Sequence, residues 1–171
     1  MLSNSRRGVG VVAGGALFAM LATGAIGIVT AAAAEQAGVF ITLSGDWAGD
    51  GTVNTNSGTT ERIRCRASYV VNKNGDNLQQ ELRCASDSYK FEVSSTMIYD
   101  NGAIKGTWAE RSENVIGELN GLVYPDRISG GVHGSLFTAK VAVITDGAKQ
   151  SVNIEPTGTS IKAISIRMNK K

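Results

Sequence analysis

Histidine occurs once in this chain of 171 residues and cysteine twice, and that scarcity removes most site chemistry at the outset. A zinc site draws three or four ligands from His, Cys and carboxylates, which this composition does not offer in any recognisable spacing. The lone His133 has Ser129 and Ser135 near it in sequence, but neither sits in a nucleophile-elbow pattern, so no Ser-His-Asp arrangement is marked. His133 is read as a surface or strand-end residue. Asp46, Asp50, Asn54 and Asn56 are rich in oxygen but lack the spacing of an EF-hand loop, and turn formation accounts for them. No pair of carboxylates stands out for glycoside hydrolysis. The expectation is a non-enzymatic protein with no cofactor and no metal.

A basic excess is lacking too. The chain holds 17 Lys and Arg against 15 Asp and Glu, and Arg6 and Arg7 supply the whole difference. Beyond that dipeptide the chain is formally neutral, which argues against a general nucleic-acid or membrane-surface role. Aromatic residues make up only 6% of the chain, so most of them are needed to fill a core. Finally, no long stretch after residue 34 shows a 3.6-residue period, which excludes a helical bundle.

What is present begins with export. Arg6-Arg7 precedes an apolar, Gly- and Ala-rich run from Val9 to Thr30, and Ala32-Ala33-Ala34 before Glu35 fits a small-residue cleavage site. Residues 1–34 are therefore expected to be a signal peptide with a signal helix. A periplasmic or secreted location follows, with no membrane span once the signal is cleaved. An uncleaved anchor is the alternative, since the run is long enough to cross a bilayer. The remainder, 35–171, is about 137 residues, an ordinary size for one domain.

Within it, short alternating segments are separated by Gly, Asn and Asp, the pattern of an all-β protein. Strands are predicted at about 43–54, 59–72, 77–85, 88–99, 103–112, 115–124, 127–133, 136–145, 149–155 and 160–168. The connections are short, so sequence neighbours pair antiparallel. The expected fold is an up-and-down meander of 8–10 strands, and closure into a barrel removes the exposed edges.

Cys65 and Cys84 lie symmetrically about Asn74-Gly75, the strongest short hairpin signal. Counting outward sets Cys65 opposite Cys84 and predicts an intra-hairpin disulfide. A two-residue turn puts them at a hydrogen-bonded pair, with Cα atoms about 5.5 Å apart. A bulge, or a wider turn over Asn72 to Asn77, shifts this toward the closer pairing that suits a cross-strand bridge. Ile63, Cys65, Ala67, Tyr69 and Val71 then share the apolar face with Leu78, Leu82 and Cys84, and Gln80 is its polar exception. Arg62, Arg64 and Arg66 form a ladder on the other face, with Arg83 opposite Arg66.

Leu43-Ser44-Gly45-Asp46-Trp47 carries a G-x-W at the first strand and resembles the opening of lipocalin and related calycin barrels, including avidin-like ones. The resemblance implies a barrel whose Trp closes one end, with an Arg of the last strand packed over it; Arg167 is the matching position. Thr145-Asp146-Gly147 is similar to the second lipocalin motif, with Gly147 where that motif has Tyr. No counterpart of the long lipocalin helix follows the strands. A second G-x-W occurs at Gly106-Thr107-Trp108, and a β-sandwich or open barrel is the alternative fold.

Two functions are open at this point. In the first, the barrel holds a small apolar or amphipathic ligand, with Trp47, Tyr69, Gln80, Phe91 and Trp108 as lining candidates. In the second, the core is filled, and an outer basic face of Arg62, Arg64, Arg66 and Arg83 contacts an anion, an envelope component or a protein partner.

Overall fold

The computed structural model describes residues 38–171; the predicted signal peptide and its helix lie outside these residues. Ten strands form the fold: β1 Gly45–Thr55, β2 Thr60–Val71, β3 Asn77–Ala85, β4 Lys90–Asp100, β5 Ala103–Glu110, β6 Val115–Val123, β7 Ile128–Gly134, β8 Thr138–Asp146, β9 Lys149–Thr157 and β10 Ile161–Lys170. Each pairs antiparallel with the next, and β1 pairs with β10, so the sheet closes into a barrel. Every predicted strand is present. Closure leaves no unpaired edge to recruit another chain.

Alternation sets the two surfaces. In β2, Ile63, Cys65, Ala67 and Tyr69 are buried, and Arg62, Arg64 and Arg66 between them are exposed. A period of two does this, because successive side chains point to opposite faces of a strand.

The Asn74-Gly75 hairpin has the predicted register, with Cys65 facing Cys84 and Arg66 facing Arg83. Its turn is the wider one. The Asn72 amide N–H donates to the Asn77 carbonyl at 3.1 Å, and the Asn72 Oδ1 accepts from the backbone N–H groups of Asp76 and Asn77, each at 3.1 Å. A short polar side chain thus replaces backbone partners inside the turn. The change in turn width moves Cys65 and Cys84 from a hydrogen-bonded to a non-hydrogen-bonded pair. Their Cα atoms are 4.1 Å apart and the disulfide is formed, in keeping with the closer spacing of such pairs.

The first strand starts later than its predicted residue 43, because Ile41–Leu43 form a single 3-10 turn. This turn and the residues before it strap one end of the barrel. The Phe40 amide donates to the Gly75 carbonyl at 3.0 Å, and Phe40 itself is fully buried. Gly38 and Gly75 make the strap possible. A Cβ on Gly38 would run into the Asn74 carbonyl oxygen, and Gly75 has φ +72°, a conformation that side chains disfavour.

Trp47 sits beneath the strap, 1% exposed. Its indole N–H donates to the Leu43 carbonyl at 2.8 Å, and its ring meets Tyr69 edge-on at 6.4 Å. The residue over the ring is Lys170, with Nζ 5.7 Å from the ring centre and 3.2 Å from the Thr42 carbonyl. Arg167 does not take that place. The β1–β10 register sets Trp47 against Lys170 and Arg167 against Asp50, and strand alternation turns Arg167 outward, between buried Ile166 and Met168.

Candidate functional site: the barrel lumen and the outer arginine face

Packing is uneven around the barrel. The buried core gathers on β1, β2, β3 and β10 and under the strap, with Leu43, Val53, Ile63, Leu78, Ile166 and Met168 among its members. The inward residues of β4 to β9 are mixed: Ile104, Trp108, Val115, Ala139 and Val152 are buried, and others are not. Phe91, Val93, Met97, Leu119, Val141, Val143 and Ile154 pack against the core yet are only partly buried. In mid-strand, an inward side chain of a closed barrel reaches solvent through the lumen. These residues line the apolar interior and keep part of their surface exposed.

Its width has a cause in the sequence. Gly106, Gly117, Gly121, Gly130 and Gly134 occupy inward register positions on β5, β6 and β7, opposite Met97, Trp108, Ile104, Val141 and one another. At Gly106, Gly121 and Gly130 that wall supplies backbone where other strands supply side chains, whereas the Trp108 ring fills the space at Gly117 and Gly134. Barrel diameter also grows with strand number, and ten strands enclose more than the eight that side chains fill.

Polar groups inside are few, and most are paired. The Ser95 hydroxyl donates to Gln80 Oε1 at 3.1 Å. Near the strapped end, the Tyr69 hydroxyl donates to Gln150 Oε1 at 2.8 Å, and Gln150 Nε2 donates to Thr145 Oγ1 at 3.3 Å. Burial pushes the Tyr69 phenol well above its ordinary range, and its hydrogen bond with Gln150 only partly opposes that. Tyr69 therefore stays neutral. No buried side-chain nitrogen or oxygen among the described residues lacks a partner. Gln80 Nε2 makes no protein hydrogen bond among them, so it is a free donor on the lumen wall.

The five lining candidates all face inward, in different surroundings. Gln80 and Phe91 are half-buried on the lumen wall. Trp108 is buried toward the end opposite the strap, where its ring packs 5.4 Å from Phe137 and its indole N–H donates to the Glu118 carbonyl at 3.1 Å. Trp47 and Tyr69 belong to the strapped end, with little surface left free.

The end opposite the strap carries a built-in carboxylate that sequence reasoning missed. Glu110 is buried and accepts the backbone N–H groups of Glu92 at 2.8 Å and Glu113 at 2.6 Å. Burial pushes its carboxyl upward, but the N–H groups of Glu92, Glu113 and Ser112 outweigh this and hold it below the usual value. A depressed folded-state pKa contributes stability above the unfolded value of about 4.3 that is lost as pH falls through the folded value. Glu110→Gln is expected to unfold more easily at neutral pH, by roughly 1–2 kcal/mol, because an amide cannot accept both N–H groups. Its stability is also expected to change less than the parent's between about pH 5 and pH 3. Urea unfolding across that range reads both effects, and parallel pH curves for the two proteins would remove Glu110 from the acid response.

On the outside, Arg62, Arg64, Arg66 and Arg83 are all exposed on β2 and β3, and the ladder is continuous as expected. Two shallow hollows lie there. One, of about 470 Å³, is lined by Arg64, Arg66, Arg83, Lys90 and Lys171, by the carboxylates of Asp50 and Glu92, and by Ala48 and Ala85 between them. His133 is exposed on β7. Among the described residues no group of three His, Cys, Asp or Glu converges as metal ligands would, and no helix is long and apolar enough to cross a membrane.

These features define a class: a closed ten-stranded antiparallel barrel, consistent with a calycin-like barrel and two strands wider than a lipocalin, with a disulfide in its wall. Among solved structures the chain is similar to the crystal structure of Rv2717c from M. tuberculosis, with 13% identity and a TM-score of 0.62 over 77% of this chain and 94% of that one. At that identity the likeness is one of fold. No family model matches the chain, and no curated protein is similar to it by sequence.

Proposed function

We propose that this protein is a non-enzymatic binding module of the periplasm or extracellular space that holds a small, uncharged, apolar or amphipathic ligand in its lumen. The observation that carries this reading is the partial exposure of inward apolar residues on β4, β6 and β8, namely Val93, Met97, Leu119 and Val141. A filled core would have buried them. The ligand class follows from the wall. Apolar surface supplies the affinity, and Gln80 Nε2 supplies one donor for a carbonyl, ether or hydroxyl oxygen. By strand register the mid-lumen has no inward Lys, Arg or His; Lys170 is at the strapped end. A carboxylate ligand would enter without a counter-charge, which is costly. The disulfide at 65–84 supports a location where thiols are oxidised.

The test is native mass spectrometry of the protein purified from its own cells, followed by titration with an uncharged fluorescent apolar probe. Co-purified mass that leaves on denaturation, or saturable probe binding, is expected. Val141→Phe adds volume inside, opposite Gly130 and Ile154, and should weaken probe binding about tenfold or more while leaving the circular dichroism unchanged. Absence of both ligand and probe binding, or equal binding by Val141→Phe, would sink the reading.

A further inference from the structure

The arginine ladder plays no part in the lumen. Across the outer face, the β1–β4 registers place Ala48, Arg66, Arg83 and Glu92 in one row, and Asp50, Arg64, Ala85 and Lys90 in the next. Arg66 and Arg83 are direct cross-strand neighbours. Like charges so opposed repel and are destabilising unless something negative lies between them.

Three of the nearby acids are engaged elsewhere, and the fourth, Asp50, faces Arg64 and Arg167 across the strands without forming an ion pair. Glu92, the lateral neighbour of Arg83, is bound to Lys90 at 3.0 Å. Glu81, two residues before Arg83 on the same face, is bound to Arg111 at 3.2 Å. Glu61 on β2 accepts the Ser88 N–H at 2.9 Å. Among the described residues, none of Arg62, Arg64, Arg66, Arg83 and Arg167 has a carboxylate within ion-pair distance. The alanines beside them matter as much. Ala48 and Ala85 are small where a longer side chain would fill the face, and they leave the hollow over which Arg64, Arg66 and Arg83 stand.

We infer that this hollow is an anion site for a phosphate group, held chiefly by Arg66 and Arg83 with Arg64 beside them. Two planar guanidiniums on adjacent strands offer paired N–H donors to one tetrahedral oxyanion, a geometry that Lys cannot reproduce. An otherwise neutral domain concentrates these unpaired cations on β2 and β3. The site lies on the outside of the wall whose inner side carries the Cys65–Cys84 bond, so its occupation and that of the lumen are separate events.

The experiment is an NMR titration at low ionic strength of the protein with its disulfide intact, following the arginine Nε–H resonances. Inorganic phosphate is the first probe. Vesicles of phosphatidylcholine, with and without phosphatidylglycerol, are the second. Saturable shifts at Arg64, Arg66 and Arg83, weakened by added salt, are expected. Arg66→Gln/Arg83→Gln should weaken binding about tenfold or more. Arg127→Gln should leave it unchanged, because Arg127 is engaged with Asp126 and the Tyr124 ring. An unaltered Trp47 indole resonance certifies the fold of each variant. Binding to inorganic phosphate assigns a soluble phosphate; flotation only with the phosphatidylglycerol vesicles, lost in the double variant, assigns a lipid headgroup. Shifts spread evenly over all arginines, or a double variant that binds like the parent, would overturn the proposal and leave the lumen reading untouched.

Discussion

Replacing Cys65 and Cys84 together by alanine is expected to lower the unfolding free energy by about 3 kcal/mol, the chain-entropy value for closing a loop of this size. The two residues are 19 apart in sequence, so the bond removes much of the freedom of the β2–β3 hairpin from the unfolded chain. The melting temperature should fall by about 10 °C for a domain of this length. Both cysteines are buried, and alanine gives up sulfur packing, which adds to the loss. The register should survive, because Asn72 holds the turn and the flanking inward pairs, Ala67 with Leu82 and Tyr69 with Gln80, do not depend on the bond. Urea unfolding of the double variant beside the oxidised parent measures the effect. An unchanged midpoint would mean that the unfolded chain already holds these strands together.

Trp47→Ala should cost about 3–5 kcal/mol, the range for truncating a buried Trp. The ring is 1% exposed, and its loss leaves a cavity beneath the strap. It also removes the donor to the Leu43 carbonyl, the edge contact with Tyr69 and the surface under Lys170. The consequence for dynamics is local. Amide exchange at Phe40, whose N–H is bonded to the Gly75 carbonyl, should accelerate more than exchange in the middle of β2, because the strap is then held by fewer buried contacts. If Phe40 and mid-β2 amides accelerated equally, the strap would be part of the global cooperative unit and not a separately opening end.

Trp108 tells a related story about legibility. Both tryptophans stand in a G-x-W, and the motif alone does not separate them. Trp47 closes a barrel end because the chain before it returns as a strap. Trp108 packs over Gly117 and Gly134 because those residues leave the space. Neither circumstance lies within the three residues of the motif.

Glu110 was illegible for a similar reason. Its carboxylate binds Glu92 from β4 and Glu113 from the following turn, and the β4 partner comes near only through the β4–β5 pairing. A run such as Trp108-Ala109-Glu110-Arg111 reads simply as a strand reaching solvent. That is why the predicted strand ran on to residue 112, whereas β5 stops at Glu110.

By itself the sequence determined the ten strands, the antiparallel order, the inward and outward faces of β2 and β3, and the pairing of Cys65 with Cys84. These rest on short-range physics: a period of two along each strand, and turn residues that set register over a few positions. Gly147 shows the same locality, since its φ of +55° suits the tight β8–β9 turn and explains why a glycine stands where the lipocalin-like motif has Tyr. Only the tertiary structure decided that β1 meets β10, that residues 38–43 seal one end, that Lys170 and not Arg167 covers Trp47, and that Gln80 is answered by Ser95. It alone decided which inward residues are buried and which are only partly so. Those outcomes join residues far apart in the chain, and the free volume inside a barrel is set by all ten strands together, so no local stretch of sequence encodes it.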